Sequence, residues 1–442
     1  MDQKLRNDFE DYVKAVDSSL DTFSAAELQD RVERLVEEHD SWRRRCLNMT
    51  AAETLLSRRV KALLASDMAT RLTEGLPGGK IYPHGSQNRY VDEIEGIVVS
   101  LLRRRFKVKH VDWRPTSTSM ANSAVFFSLL KNGDVILSQS EAGGGNFANH
   151  PNGSAGLRSL QIHDMAPANE VFEIDLDALA MDVDRLKPKL LVFGGSKVLF
   201  PYPVKEIRTI ADRVGALVMY DAAHLGLLIS GGAFQDPIAE GAHILTGSTH
   251  KIMFGPVGGF VATNDDDIAA KVLDCTFPFF MQTRDQNKYA ALALSLLELE
   301  QIGKDLAHQI VRNSAALGGY LAEEGLDVLA AKKGYSKSHQ VFIRLGEGKT
   351  RAFELNCQKA NILLTDCALT GDAPGKRTGL RLATHELARI GLKEKDMRDV
   401  ARFIRRAGEG SDHPAIIAAE LAEFLSVPRI ETTGSLKQST NR

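Results

Sequence analysis

Ser248-Thr249-His250-Lys251 closes the apolar run Ala242-His243-Ile244-Leu245-Thr246-Gly247, and Asp221-Ala222-Ala223-His224 closes an earlier one, Gly215-Ala216-Leu217-Val218-Met219-Tyr220. Each run has the length of a strand, and each ends on a reactive side chain. A lysine placed there, among small hydroxyl residues and a histidine, suits Schiff-base formation. Its amine must shed a proton to act as a nucleophile, and partial burial lowers its pKa. A carboxylate at the end of the other run suits pairing with a protonated pyridine nitrogen, which makes pyridoxal phosphate an electron sink. The two motifs together point to a pyridoxal-phosphate enzyme.

Outward from these motifs, strand and helix patterns alternate from about residue 95. Strand-like runs fall at Asp134–Leu137, Leu190–Phe193, Gly215–Tyr220, Ile244–Leu245 and Gly259–Thr263, with helical stretches at Met120–Leu130 and Val204–Val214. Short β-branched runs between helices predict an α/β fold with a mostly parallel sheet covered by helices on both faces. Ligands of such sheets bind beyond the carboxyl ends of the strands, where Asp221, His224 and Lys251 fall. After Tyr289 a helical pattern (Ala290–Leu299, then Ile302–Leu321) is expected to bridge to a smaller C-terminal α+β domain. The first 45 residues read as two amphipathic helices. The first carries Leu5, Phe9, Tyr12, Val13, Val16 and Leu20 on one face. The second opens with a capping box, Ser24-Ala25-Ala26-Glu27. Both are too short to bury their own faces, so they are expected to pack on the body of the protein or on a partner subunit. The predicted division is a helical arm over 1–48, a large cofactor-binding domain over 49–305, a small domain over 306–428 and a disordered tail over 429–442.

Composition agrees with that class. The chain has 442 residues, 43% hydrophobic and 25% charged, enough for two sizeable cores. A net charge of −2 gives no reason to expect nucleic acid or an anionic membrane as partner. Cys46, Cys275, Cys357 and Cys367 lack zinc-ligand spacing and read as reduced thiols, and no metal site is expected. The charged start, Met1-Asp2-Gln3-Lys4-Leu5, lacks the apolar core of a signal peptide, and no run approaches the length of a membrane span. The expectation is a cytoplasmic protein.

A bound pyridoxal phosphate also needs a phosphate cradle. Pro115-Thr116-Ser117-Thr118-Ser119-Met120-Ala121-Asn122 offers hydroxyls and free N–H groups where a helix begins. Taken alone, Ser117 and Ser119 read equally well as helix caps. At this point several segments resemble serine hydroxymethyltransferases among the fold-type I pyridoxal-phosphate enzymes. Ser248-Thr249-His250-Lys251 with Gly255-Pro256-Val257-Gly258-Gly259 is similar to that family's Thr-Thr-His-Lys and Gly-Pro-Arg-Gly-Gly. Asp221-Ala222-Ala223-His224 resembles its Asp-Met-Ala-His, and Tyr90-Val91-Asp92-Glu93-Ile94-Glu95 its Tyr-Val-Asp-x-x-Glu. Thr378-Gly379-Leu380-Arg381-Leu382 resembles the segment whose arginine binds the substrate carboxylate. The likeness runs in order from about residue 45 to 405, and the joint pattern is specific although each piece is weak.

The resemblance implies pyridoxal 5'-phosphate as cofactor and a role for each matching residue. Lys251 would form the internal aldimine, Asp221 would pair with the pyridine nitrogen, and His224 would contact the 3-hydroxyl side. Ser117, Thr118 and Ser119 would hold the phosphate, with Asn146, Ser196 and Ser248 among the cofactor contacts. Arg381 would clamp the substrate carboxylate, Tyr82 would line the substrate side, and Glu74 would be the acid/base, with His250 beside the lysine. Read without the resemblance, Glu74 is an ordinary helix-end carboxylate. The family's dimers share residues across subunits, so a homodimer is expected.

The departures carry equal weight. Asn146 replaces a ring-stacking histidine, Ala52 a serine, Leu72 a tyrosine and Val257 an arginine. Phe277-Pro278-Phe279-Phe280-Met281-Gln282 replaces a Gly-Gly segment that closes on the partner's phosphate, and Pro83-His84-Gly85-Ser86 interrupts a tyrosine pair near Tyr82. Several of these positions lie on the folate and substrate side. The reading favoured is therefore aldol-type cleavage or formation of the Cα–Cβ bond of a β-hydroxy-α-amino acid through a glycine quinonoid. That is chemistry of the threonine aldolase or transaldolase kind, without folate, with an amino acid and an aldehyde as partners. A folate-dependent hydroxymethyltransferase is the alternative. A non-catalytic relative and an aminotransferase fit less well.

Overall fold

Seven short strands between residues 110 and 263 build the main sheet of the computed structural model, which describes residues 3–373 and 375–427. They are β1 (His110–Asp112), β2 (Val135–Gln139), β3 (Gln161–Met165), β4 (Leu190–Gly194), β5 (Leu217–Asp221), β6 (Ile244–Ser248) and β7 (Gly259–Thr263). Their order across the sheet is β1-β7-β6-β5-β4-β2-β3. The pairs from β3 through β6 are all parallel, and β7 runs antiparallel to both β6 and β1. The expected tail over 429–442 lies outside the described residues.

Burial on both faces explains why these strands read as unbroken apolar runs. In β4, Leu191 and Phe193 enter one core while Leu190 and Val192 enter the other. The first core packs the sheet against helices α3 (Arg89–Phe106) and α5 (Gln286–Glu323). The second packs it against α4 (Thr118–Leu129) through Ala121, Val125 and Phe126.

The helical pattern expected after Tyr289 is α5, one helix of 38 residues. Leu299, Ile302 and Leu306 continue one buried stripe along it. The helix then delivers Leu317 and Leu321 to a separate C-terminal core. That core lies under a four-stranded antiparallel sheet ordered Asp327–Val328, Gln340–Arg344, Gly379–Ala383, Thr365–Cys367. Leu47 and Asn48 pair in parallel with Ile362 and Leu363, and Leu47 and Met49 join the same core.

Helices α1 (Gln3–Leu20) and α2 (Ala25–Arg43) precede it. The Ser24–Glu27 capping box forms as expected. Packing on the body does not: no residue of α2 is buried, and Phe9, Tyr12, Val32 and Val36 are exposed. A hydrogen bond of 2.9 Å from Trp42 Nε1 to Asn361 Oδ1 fastens the end of α2. Among the described residues no helix is long and apolar enough to cross a membrane.

Candidate active site

Parallel pairing of β5 with β6 brings Asp221 level with Thr246, so the two motifs end side by side. Asp221 is fully buried and accepts hydrogen bonds from Asn122 Nδ2 at 2.9 Å and the Ala223 N–H at 3.0 Å. Burial raises its pKa, while those two bonds and the nearby charge of Lys251 pull it back.

Lys251 opens a single 3-10 turn just past β6, with φ at +53°. That left-handed backbone costs a side-chain-bearing residue about 1–2 kcal/mol and persists only where the surroundings impose it. Here Thr249 imposes it: its carbonyl accepts from the Gly255 N–H, and its hydroxyl donates to the Pro256 carbonyl at 2.7 Å. Burial pushes the Lys251 amine down to about 8; Asp221 opposes that fall and Arg381 adds to it. His250 Nδ1 lies 2.9 Å from Ser248 Oγ and 3.3 Å from the Gly258 carbonyl. Burial, helped by Lys251, pushes His250 down to about 4, so it is neutral near pH 7.

His224 is buried and stacks on His339 with ring centroids 5.6 Å apart and planes 12° from parallel. Among the described residues its Nδ1 has no hydrogen-bond partner. Burial, with the cations around it, holds it well below the ordinary histidine range. Behind it, His339 meets His385 edge-on at 5.3 Å, and His385 Nε2 contacts the Glu53 carbonyl at 2.8 Å.

Arg381, on strand Gly379–Ala383, reaches the same region from the C-terminal sheet. Its Nη1 donates to the Ser196 carbonyl at 2.8 Å, and its Nε is buried without a partner. Lys197 beside it is buried, donates to the Ala368 carbonyl at 2.6 Å and is pushed down to about 8 by desolvation.

The three cradle residues divide. Ser117 caps α4, its hydroxyl accepting from the Met120 N–H at 3.1 Å. Thr118 is buried with its hydroxyl unpartnered, and Ser119 is exposed. Gly259 lets β7 approach this turn: a Cβ there would lie 2.4 Å from the Ser117 carbonyl oxygen. Asn146 uses its side-chain oxygen on the Ala148 N–H at 2.8 Å. Glu74 and Tyr82 face each other on a two-stranded hairpin, Glu74–Leu76 with Gly79–Tyr82. Among the described residues no hydrogen bond, ion pair or ring contact ties either of them to Lys251, Asp221, His224 or Arg381.

Sequence reasoning passed over Asn122, Lys197, His339 and His385. Asn122 lies one turn into the quoted cradle segment, and its polarity on a buried helix face was the available signal. The other three meet the site through carbonyls and rings from distant segments, which leave no local pattern.

The unpaired groups fit pyridoxal phosphate. A buried, readily deprotonated lysine, a buried carboxylate with spare lone pairs, an unpartnered imidazole nitrogen and a free hydroxyl at a helix N-terminus are complementary to its aldehyde, ring nitrogen, 3-oxygen and phosphate. Fold and site together define a fold-type I pyridoxal-phosphate enzyme. The serine hydroxymethyltransferase family model matches residues 26–404. The chain is 38% identical over 408 residues to the serine hydroxymethyltransferase of Pyrococcus abyssi, covering 90% of this chain and 95% of that protein. Identity and coverage are the same for the serine hydroxymethyltransferase of Pyrococcus furiosus. The chain belongs to the serine hydroxymethyltransferase family. Among solved structures it is similar to the L-threonine transaldolase of Pseudomonas fluorescens in its internal aldimine state, with TM-score 0.84 and 26% identity over 91% of this chain and 92% of that one. It is an enzyme, its cofactor is pyridoxal 5'-phosphate, and its chemistry is at the Cα–Cβ bond of amino acids.

Proposed function

We propose that this enzyme cleaves or forms the Cα–Cβ bond of a β-hydroxy-α-amino acid, exchanging an aldehyde without folate. The bound cofactor supplies the electron sink for the carbanion at Cα. The chain supplies the rest. Arg381 presents Nε and its second Nη to the substrate carboxylate, for which a planar fork is the natural partner. Lys251 would hold the cofactor, and its amine, with a pKa near 8, is readily neutral and so suited to act as a nucleophile at an aldehyde. Asp221 keeps a proton on the pyridine nitrogen, and Glu74 moves the proton of the β-hydroxyl group.

The observation that carries the folate-free reading is the chemistry at positions 72, 146 and 257. Leu72 and Val257 are exposed apolar groups, and Asn146 spends its side-chain oxygen on Ala148. None offers the stacking or charged contact that a second, pterin-bearing substrate would use, and a site built on such contacts discriminates strongly. The likeness to an L-threonine transaldolase supports the same reading. The family model and the archaeal relatives favour the alternative, a folate-dependent serine hydroxymethyltransferase. Product analysis decides: with L-threonine, and with L-threonine plus a panel of aldehydes, we expect glycine and exchanged β-hydroxy amino acids. Serine cleavage dependent on tetrahydrofolate and faster than any of these would promote the alternative.

We further propose a homodimer in which the Glu74 hairpin of one protomer completes the partner's site. That no contact among the described residues ties the hairpin to Lys251 supports this, as do the unburied apolar faces of α1 and α2.

A further inference from the structure

The hairpin carrying Glu74 sits on a buried ion network contributed by α3 and by the residues just before and at the start of α5. Arg284 Nη2 donates to the Gly75 carbonyl at 2.8 Å and to the Thr73 carbonyl at 3.4 Å, the two peptide oxygens that flank Glu74. Its side chain is 2% exposed, and its charge is balanced by Glu95, 0% exposed, at 3.6 Å. Glu95 also pairs with Lys80 from the hairpin's second strand. Asp92, one turn earlier on α3, adds an ion pair to Lys80 at 3.6 Å and accepts from the Gly78 N–H at 3.1 Å. Gln286 Nε2 donates to the Thr73 hydroxyl at 3.0 Å. Every strand of the hairpin is therefore gripped from beneath by charge that water cannot screen. The hairpin has little room to relax: Gly75 has φ at +96°, and a Cβ there would meet the Gly79 oxygen and the Ile81 nitrogen at 2.9 Å.

We propose that Arg284 is the positioning residue for Glu74, fixing the backbone on either side of it so that the carboxylate points where the substrate hydroxyl lies. The inference rests on the role proposed above for Glu74. Arg284 itself need touch neither substrate nor cofactor. All three contacts, to the two carbonyls and to Glu95, run through Nη2 at the far end of the side chain, and a lysine ammonium, one bond shorter and more strongly hydrated, would not reach them all in the same place.

The test is a double-mutant cycle on the cofactor-loaded enzyme, with the best β-hydroxy amino acid as substrate. Removing one member of a buried ion pair is strongly destabilising, so Arg284→Ala is unsuited and Arg284→Lys is used. We expect R284K to lower kcat by roughly 10- to 100-fold, the cost of misplacing a catalytic group by about an ångström. KM and the visible absorption of the bound cofactor should stay as in the parent. Glu74→Gln should lower kcat as well, and adding R284K to it should change kcat by less than about twofold, because the group being positioned is already gone. An unchanged kcat in R284K overturns the inference and leaves the role of Glu74 standing. So does an R284K effect that is equally large in the E74Q background, or one that falls on cofactor binding. Full turnover by E74Q overturns both.

Discussion

At the scale of single residues, burial does most of the chemistry. Lys251 would be charged at neutral pH in water, and its ordinary pKa of 10.5 falls to about 8 because the side chain is buried. Only the neutral amine attacks an aldehyde, so below pH 8 the reactive fraction falls and above it the fraction saturates. The rate at which apo-enzyme captures pyridoxal phosphate should therefore rise with pH to a plateau with its midpoint near 8. Stopped-flow absorbance across the neutral to alkaline range checks this, and a midpoint near 10.5 would contradict it. Glu386 shows the opposite sign. It is buried with Oε1 unpartnered, and burial raises it from 4.5 to about 7 against the pull of Asn48, Arg43 and Lys61, with Glu53 adding to the rise. The folded protein thus favours the protonated acid. The stability this gives is present below about pH 4.5 and lost as pH rises through 7, a span worth about 3 kcal/mol. Glu386→Gln should leave Tm little changed in mild acid and raise it above pH 8. Thermal unfolding at the two pH values measures the difference, and an equal shift at both would refute the assignment.

At the scale of elements, the sequence was readable where a segment is buried on both faces. β4, β5 and β6 announce themselves because no water-facing position interrupts them, and the residues ending β5 and following β6 then fall at a sheet edge by geometry alone. The long α5 is legible for a related reason: its apolar residues keep one helical period through Gly303, where tertiary packing carries the stripe on. Lys197 and His339 were illegible for another reason: their partners are backbone carbonyls and rings brought from far along the chain, and a carbonyl carries no sequence. One glycine joins the two scales. Gly259 of β7 donates its N–H to the Pro115 carbonyl at 2.8 Å and lies against the Ser117–Thr118 turn. Gly259→Ala would place a methyl 2.8 Å from the Thr118 nitrogen and push that turn off the sheet. We expect the Kd for pyridoxal phosphate to rise at least tenfold, about 1.4 kcal/mol. Borohydride trapping on Lys251 should persist at saturating cofactor. Equilibrium titration reads the first quantity and peptide mapping the second; an unchanged Kd would remove the turn from the phosphate site.

At the scale of the whole molecule, two unfinished features point the same way. The arm of α1 and α2 exposes Phe9, Tyr12, Val32 and Val36, an apolar surface that a single chain leaves in water. The hairpin with Glu74 and Tyr82 is rigidly held from beneath, yet among the described residues nothing ties it to the lysine it is proposed to serve. A two-fold dimer resolves both, since one isologous contact covers each arm and lends each hairpin to the opposite site. That arrangement has a consequence no monomer shares. A Lys251→Ala chain keeps its hairpin but cannot hold the cofactor covalently, and a Glu74→Gln chain keeps the lysine but lends a disabled hairpin. Co-expressed with different affinity tags and purified through both, the hybrid contains one site built from the intact lysine of one chain and the intact glutamate of the other. That hybrid should cleave its β-hydroxy amino acid although neither parent homodimer does so at a comparable rate. If each site drew both residues from one chain, every site in the hybrid would carry a defect, and the mixed enzyme would be as slow as its parents.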